Sequence, residues 1–289
     1  MRTEMPSMSH WRCCSTVVPA VVSILLASMT AALALTPTTA RAQGAQSSTA
    51  NLSFPSPVAT GIIGVKAPGA LSEIVAHLEA VSATGWQDLE GTGTLTFPTG
   101  DTHSALLDLR GADFSRLDIV MNSGTRSFRV QGSSGRFQDE VGNQGSLLAA
   151  TSRCGIVAFP IVWFDAATSS LVSLLDNGIY MGTGQPLHRV TVEYQLAPGT
   201  YTKGDLTVAT DLYFEPNTHL LLYSVDSLAF SNVSGAALLR VTSYSDYQKF
   251  GSLLVPATIQ QSLNGQAQWS LQLSQVQINQ NPPVGTFSF

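Results

Sequence analysis

The chain has 289 residues, with 14 Lys or Arg against 19 Asp or Glu and a formal net charge of −5. That balance supplies no basic footprint for a phosphate backbone, which argues against nucleic acid as a partner. Charged residues make up only 11%, well below the usual quarter or so, and Ser, Thr, Gln, Asn and Gly stand in their place, as on the solvent face of exported β-rich proteins.

The N-terminus reads as a secretory signal. Arg2 and Arg12 precede an uncharged apolar run from Val17 to Leu35, Pro37 breaks any helix after it, and Ala40-Arg41-Ala42 offers small residues where a signal peptidase cuts. Cleavage after Ala42 is expected, giving a periplasmic or secreted protein. The rival reading is an inner-membrane anchor through residues 17–35, because the run exceeds the roughly 7–15 residues of a typical signal core. Membrane contact is expected only in that uncleaved case. No cysteine follows the core, so a lipid-modified N-terminus is not expected. Loss of Arg2, Glu4, Arg12 and Arg41 with residues 1–42 leaves 11 basic and 18 acidic residues, a net charge of −7. It also removes Cys13 and Cys14. The remaining Cys154 cannot form an internal disulfide, and its apolar neighbours Gly155 to Phe159 make it a buried thiol rather than a nucleophile.

Residues 43–60, rich in Ser, Gln, Ala, Thr and Pro, read as a flexible lead-in. Leu71, Ile74, Val75, Leu78 and Val81 then form one apolar stripe at helical spacing, between Pro68-Gly69 and Gly85, with Glu73 and Glu79 off it. From Trp86 the period changes to two. Strands are predicted at 89–97, 104–110, 116–121, 125–131 and 136–140, with tight turns between them. Ser146 to Thr151 reads as a short helix. Gly155 to Phe164 is an unusually apolar run, and Leu171, Val172, Leu174 and Leu175 read as a second helical patch. Strands resume at 178–183 and 187–195, where Val190, Val192 and Tyr194 alternate with Arg189, Thr191 and Glu193. They continue at 206–214, 219–228, 235–247, 253–261 and 268–279, with Asn264-Gly265 a strong hairpin signal. The expected architecture is α+β, mainly β: a curled antiparallel half-barrel of about ten to eleven strands around one N-terminal helix and a helical insertion at 146–176. No repeat or linker divides residues 61–289, so a single domain is expected there.

Three stretches carry a resemblance. Asp211 to Leu222, with Tyr213-Phe214-Glu215-Pro216 and Thr218, resembles a recurring hairpin of the LolA/LolB/RseB-type superfamily. Tyr244 to Tyr247 through Gly251, Leu254-Val255-Pro256 and Ile259 resembles a pair of strands in the same proteins, and Val276 to Asn279 followed by Phe287 is similar to their last strand and tail. The resemblance covers about residues 205–289. It implies a curled sheet around helices, a periplasmic address and a lipid or lipoprotein as partner, bound on the concave face.

Chemistry is sparse in the sequence. There is no Gly-x-Ser-x-Gly elbow, no phosphate-binding Gly-Lys-Ser/Thr loop and no His-Glu-x-x-His. After residue 42 the histidines are His77, His103, His188 and His219, without ligand spacing, so no metal, no cofactor and no catalytic set is expected. Asp205, Asp211 and Glu215 are the one candidate carboxylate group for glycoside hydrolysis, with turn capping as the plainer reading. The expected ligand-binding residues are Phe159, Ile161, Trp163, Phe164, Leu171 and Leu175, as core filler or as a lid over an apolar cavity.

Overall fold

A computed structural model describes residues 52–111, 114–131, 134–148, 166–195, 207–228 and 238–289. The signal segment, Cys154, Asp205 and the run Phe159, Ile161, Trp163, Phe164 lie outside the described residues.

The chain enters through helix α1, Pro68–Ala80, with Pro68 in the first turn, where its missing N–H costs nothing. A meander follows: β1 (Asp88–Thr96), β2 (Thr102–Arg110), β3 (Phe114–Met121), β4 (Gly124–Gln131), β5 (Ser134–Gln138) and β6 (Gln144–Leu148). A second meander runs through β7 (Val172–Tyr180), β8 (Leu187–Gln195), β9 (Thr207–Phe214), β10 (Leu221–Leu228), β11 (Leu238–Phe250), β12 (Leu253–Leu263) and β13 (Gln266–Ile278). All are antiparallel members of one unclosed, curled sheet in the order β6-β5-β4-β3-β2-β1-β13-β12-β11-β10-β9-β8-β7. Among the described residues the two meanders therefore meet at one seam, β1 against β13, and the consecutive strands β6 and β7 stand at opposite edges.

The mainly-β half-barrel architecture is as the sequence implies, with thirteen strands among the described residues. Two local expectations are corrected. Ser146 to Leu148 is strand, not helix, and pairs with Ser134 to Arg136. Leu171 to Leu175 leads into β7 rather than forming a helical patch: Val172 and Leu174 are fully enclosed on one face while Ser173 turns to the other. A short apolar run supports either period, and here pairing with β8 decides it. The α1 stripe is also rotated. Ala70, Glu73, Ile74 and His77 are its buried residues, and Val75 is exposed.

Strand alternation separates an inner from an outer face. Val190, Val192 and Tyr194 point inward, and Arg189, Thr191 and Glu193 outward, as their pattern predicts. The segments before α1 and after β13 strap the outer face. Phe54 packs on Tyr213 and Tyr223 at 4.9 and 5.2 Å between ring centroids. The Thr60 backbone N–H donates to Glu193 at 2.7 Å. Lys66 then bridges in parallel to Leu174 and donates from Nζ to the Ser169 and Val172 carbonyls. This covers the free edge of β7, which is otherwise a template for foreign strands. At the other end Asp88 accepts from the backbone N–H groups of Gln280 and Asn281 at 2.6 and 3.0 Å. A 3₁₀ turn, Val284–Phe287, then sets Phe287 on Phe114.

Candidate functional site

The inner face carries one continuous apolar cluster. Leu89 and Leu95 of β1, Leu107 and Leu109 of β2, Leu117 and Ile119 of β3, and Leu271 and Leu273 of β13 belong to it, each at most 3% exposed. Gly91 and Gly93 lie opposite Leu107 and Ala105, leaving room for those side chains. Helix α1 joins the cluster through Ala70 and Ile74 and packs chiefly on β7 and β8. Its C-terminal end reaches β12, where the Leu254 N–H donates to the Val81 carbonyl at 3.0 Å. Towards β10 and β11 the same face turns polar. The Ser224 and Tyr244 hydroxyls lie 2.9 Å apart, and Arg240 pairs with Asp226 through Nε at 2.8 Å, both partners buried. Such a pair is costly to break, because either charge alone would be stranded. The concave surface thus has an apolar sector and a polar sector.

A second cluster sits where α1 meets the edge of the sheet. Glu73 is buried and lies between two imidazoles. His188 Nδ1 is 2.8 Å from Oε2, and His219 Nδ1 is 2.9 Å from Oε1. The other ring nitrogen of His188 is 2.9 Å from Asp176 Oδ1. Gly69 leaves room for the Asp176 carboxylate: a Cβ there would lie 2.9 Å from Asp176 Cγ and push that side chain aside. The β9–β10 turn presents His219. Glu215 accepts from the N–H groups of Asn217 and Thr218, the His219 N–H donates to the Glu215 carbonyl, and His219 itself adopts φ 56°. One helical turn beyond Glu73, His77 Nδ1 donates to the His219 carbonyl at 2.8 Å, against the Phe214 ring.

Electrostatics follow burial and partners. Complete burial pushes His77 down to about 4, only partly opposed by its bond to His219, so the ring is neutral. Burial also works against a charged His188, but its bonds to Asp176 and Glu73 outweigh this and leave its pKa raised. The His188 hydrogen bond, helped by the Gly178 N–H, holds Asp176 below the usual carboxylate range.

Three of the four histidines after residue 42 therefore converge, although their sequence positions give no ligand spacing. The one available signal was Glu73 and His77, four residues apart on one helical face. Among the described residues no group of His, Cys, Asp and Glu is arranged to hold a metal ion. His103 stands apart, beside Phe97 in a small polar cleft with Asp101 and Asn122. Asp211 and Glu215 do not converge. Asp211 faces outward to Arg189 and Thr191, and Glu215 is engaged by its own turn. Of the expected ligand residues, Leu171 is 56% exposed just before β7, and alternation sends Leu175 to the outer side, opposite Thr191. The inner apolar cluster does not include either. No helix among the described residues is long and apolar enough to cross a membrane.

No family model and no curated protein matches the chain. Among solved structures it is similar to a LolA superfamily protein from Nitrosomonas europaea, at 12% identity and a TM-score of 0.48, covering 76% of this chain and 97% of that one. It is also similar to a DUF1329 family protein from Desulfovibrio piger, at 10% identity and a TM-score of 0.47, with the same coverage.

Proposed function

We propose that this chain is an exported, non-enzymatic protein of the bacterial envelope that binds a hydrophobic molecule, such as an acyl chain, a lipid or a lipoprotein, on the concave face of its sheet. The observation that carries the reading is the apolar inner face of an unclosed sheet, continuous from β13 through β1 to β3, beyond the strands on which α1 chiefly packs. An apolar face of this extent, bounded on one side by Arg240 and Asp226, suits an amphiphile with a long hydrocarbon part. Cleavage after Ala42 places residues 61–289, as one domain, in the periplasm. Phe159, Ile161, Trp163 and Phe164, in the link between the two sheet edges, belong to this proposal on sequence grounds.

One observation favours a second reading. The inner leucines are almost fully enclosed, as in a packed interior, which is what a ligand-free structural or interaction module of the envelope requires. A single experiment separates the two. The gently purified protein is expected to carry a lipid mass in native mass spectrometry, and after delipidation to bind a fluorescent fatty acid that unlabelled fatty acid displaces. Absence of both would end the ligand reading in favour of the packed module.

A further inference from the structure

We infer that Glu73, His188 and Asp176 form a pH-operated latch that holds α1 against the inner side of β7 and β8 while His188 is charged and loosens it when His188 loses its proton. The inference rests on counting protons. His188 meets a carboxylate at each ring nitrogen, Glu73 at 2.8 Å and Asp176 at 2.9 Å. With both carboxylates ionised and therefore only accepting, both ring nitrogens carry hydrogen and the ring is an imidazolium. A neutral ring serves one carboxylate and turns a lone pair to the other. The bond that remains then also loses its charge assistance, about half its strength.

The other titratable groups do not share this requirement. His219, from the β9–β10 turn, needs one N–H on Nδ1 to serve Glu73 and provides it in either charge state. His77, on α1 itself, needs one N–H for the His219 carbonyl. Glu215 in the same turn is engaged by Asn217 and Thr218. His188 is the ring here that meets a carboxylate at both nitrogens, so its proton decides whether α1, β7 and β8 are tied together at once. The raised pKa of His188 sets the sign: its stabilisation is complete below the ordinary 6.5 and is lost as pH rises through the folded-state value. Asp176, held low, gives the acid limit, its share being lost as pH falls below the ordinary 3.8 and through its folded value. The latch is tightest in mildly acidic solution. Loosening α1 uncovers the inner side of β7 and β8, the strands it packs on. This is a different claim from ligand binding, and its test reads α1 directly.

Hydrogen exchange of residues 68–80, corrected for the intrinsic pH dependence, is the test. Between pH 6 and pH 9 the protection of α1 is expected to fall about tenfold, as the charge-assisted bonds are lost, while β1 and β13 keep theirs. His188→Gln, always neutral, is expected to show the low protection at both pH values. Asp176→Ala removes the second carboxylate, and is expected to shrink the step because one N–H then suffices. Equal protection of α1 at pH 6 and 9 in the parent overturns the latch, and so does a full-sized step in either variant. If His188→Gln fails to fold, the exposed position of Asp176 keeps the second variant informative.

Discussion

Replacing Gly93 with alanine is expected to destabilise the protein by about 4 kcal/mol, a large share of the stability of a typical domain. Gly93 lies in β1 at a register shift against β13. A Cβ on it would sit 2.9 Å from the Gln272 carbonyl carbon and 2.9 Å from Leu273 Cα. These are backbone atoms, so no side-chain rotation relieves the clash and the strands must part. The seam between β1 and β13 is also the one joint between the two meanders, and strain there falls on the whole sheet. Gly91, two residues earlier on the same face, is the internal control. A Cβ at Gly91 meets the ends of the Leu273 and Leu89 side chains at 3.3 and 3.6 Å, which can move aside. Gly91→Ala is expected to cost about 1 kcal/mol or less. Urea unfolding of the two variants measures the contrast, and equal midpoints would refute the account of the seam.

A second large effect is expected in the acid dependence of stability. His77 is held near 4 in the folded protein against 6.5 when exposed, so between those values the unfolded chain binds the extra proton and stability falls as pH is lowered. Asp108 has the opposite sign. Burial on the outer face of β2 raises it to about 6, despite Arg116 at 3.2 Å, so the folded protein binds the extra proton between 3.8 and 6. Its Oδ1 has no hydrogen-bond partner among the described residues. Each shift exceeds two pKa units and corresponds to something on the order of 3 kcal/mol, less for Asp108 because its neighbours can relax. The two contributions offset each other in the parent. His77→Leu should therefore gain stability relative to the parent on going from pH 6.5 to pH 4. Asp108→Asn should be more stable than the parent at pH 7 and lose that advantage by pH 4. Thermal or urea unfolding across this range reads both differences, and parallel curves for parent and variants would show that neither group is perturbed by its surroundings.

Much of the sheet is legible in the sequence because its strands alternate cleanly. The β8 boundaries, Leu187 to Gln195, follow directly from Val190, Val192 and Tyr194 alternating with Arg189, Thr191 and Glu193. The edge strands are harder. β6 and β7 each have a partner strand on one side only, and their apolar residues fall close enough together to imitate a helix. The His–carboxylate cluster was hidden for a different reason. Its members come from α1, β7, β8 and the β9–β10 turn, and only strand order brings them together. Glu73 looked like a solvent-facing acid because the stripe from Leu71 to Val81 gave the helix a plausible apolar face. The face actually buried is rotated to present Glu73 and His77, since two imidazole partners make a buried carboxylate tolerable.

The seam between β1 and β13 also has a kinetic meaning. Leu89 pairs with Ile278 and Thr96 with Ser270, so the first strand waits for the last. Each meander can assemble from neighbouring segments, but joining them at β1 and β13 closes one long loop of chain, a slow step for a chain dominated by distant contacts. Until that step β1 and β13 both present open edges, and in that interval the chain is most exposed to aggregation and to proteases.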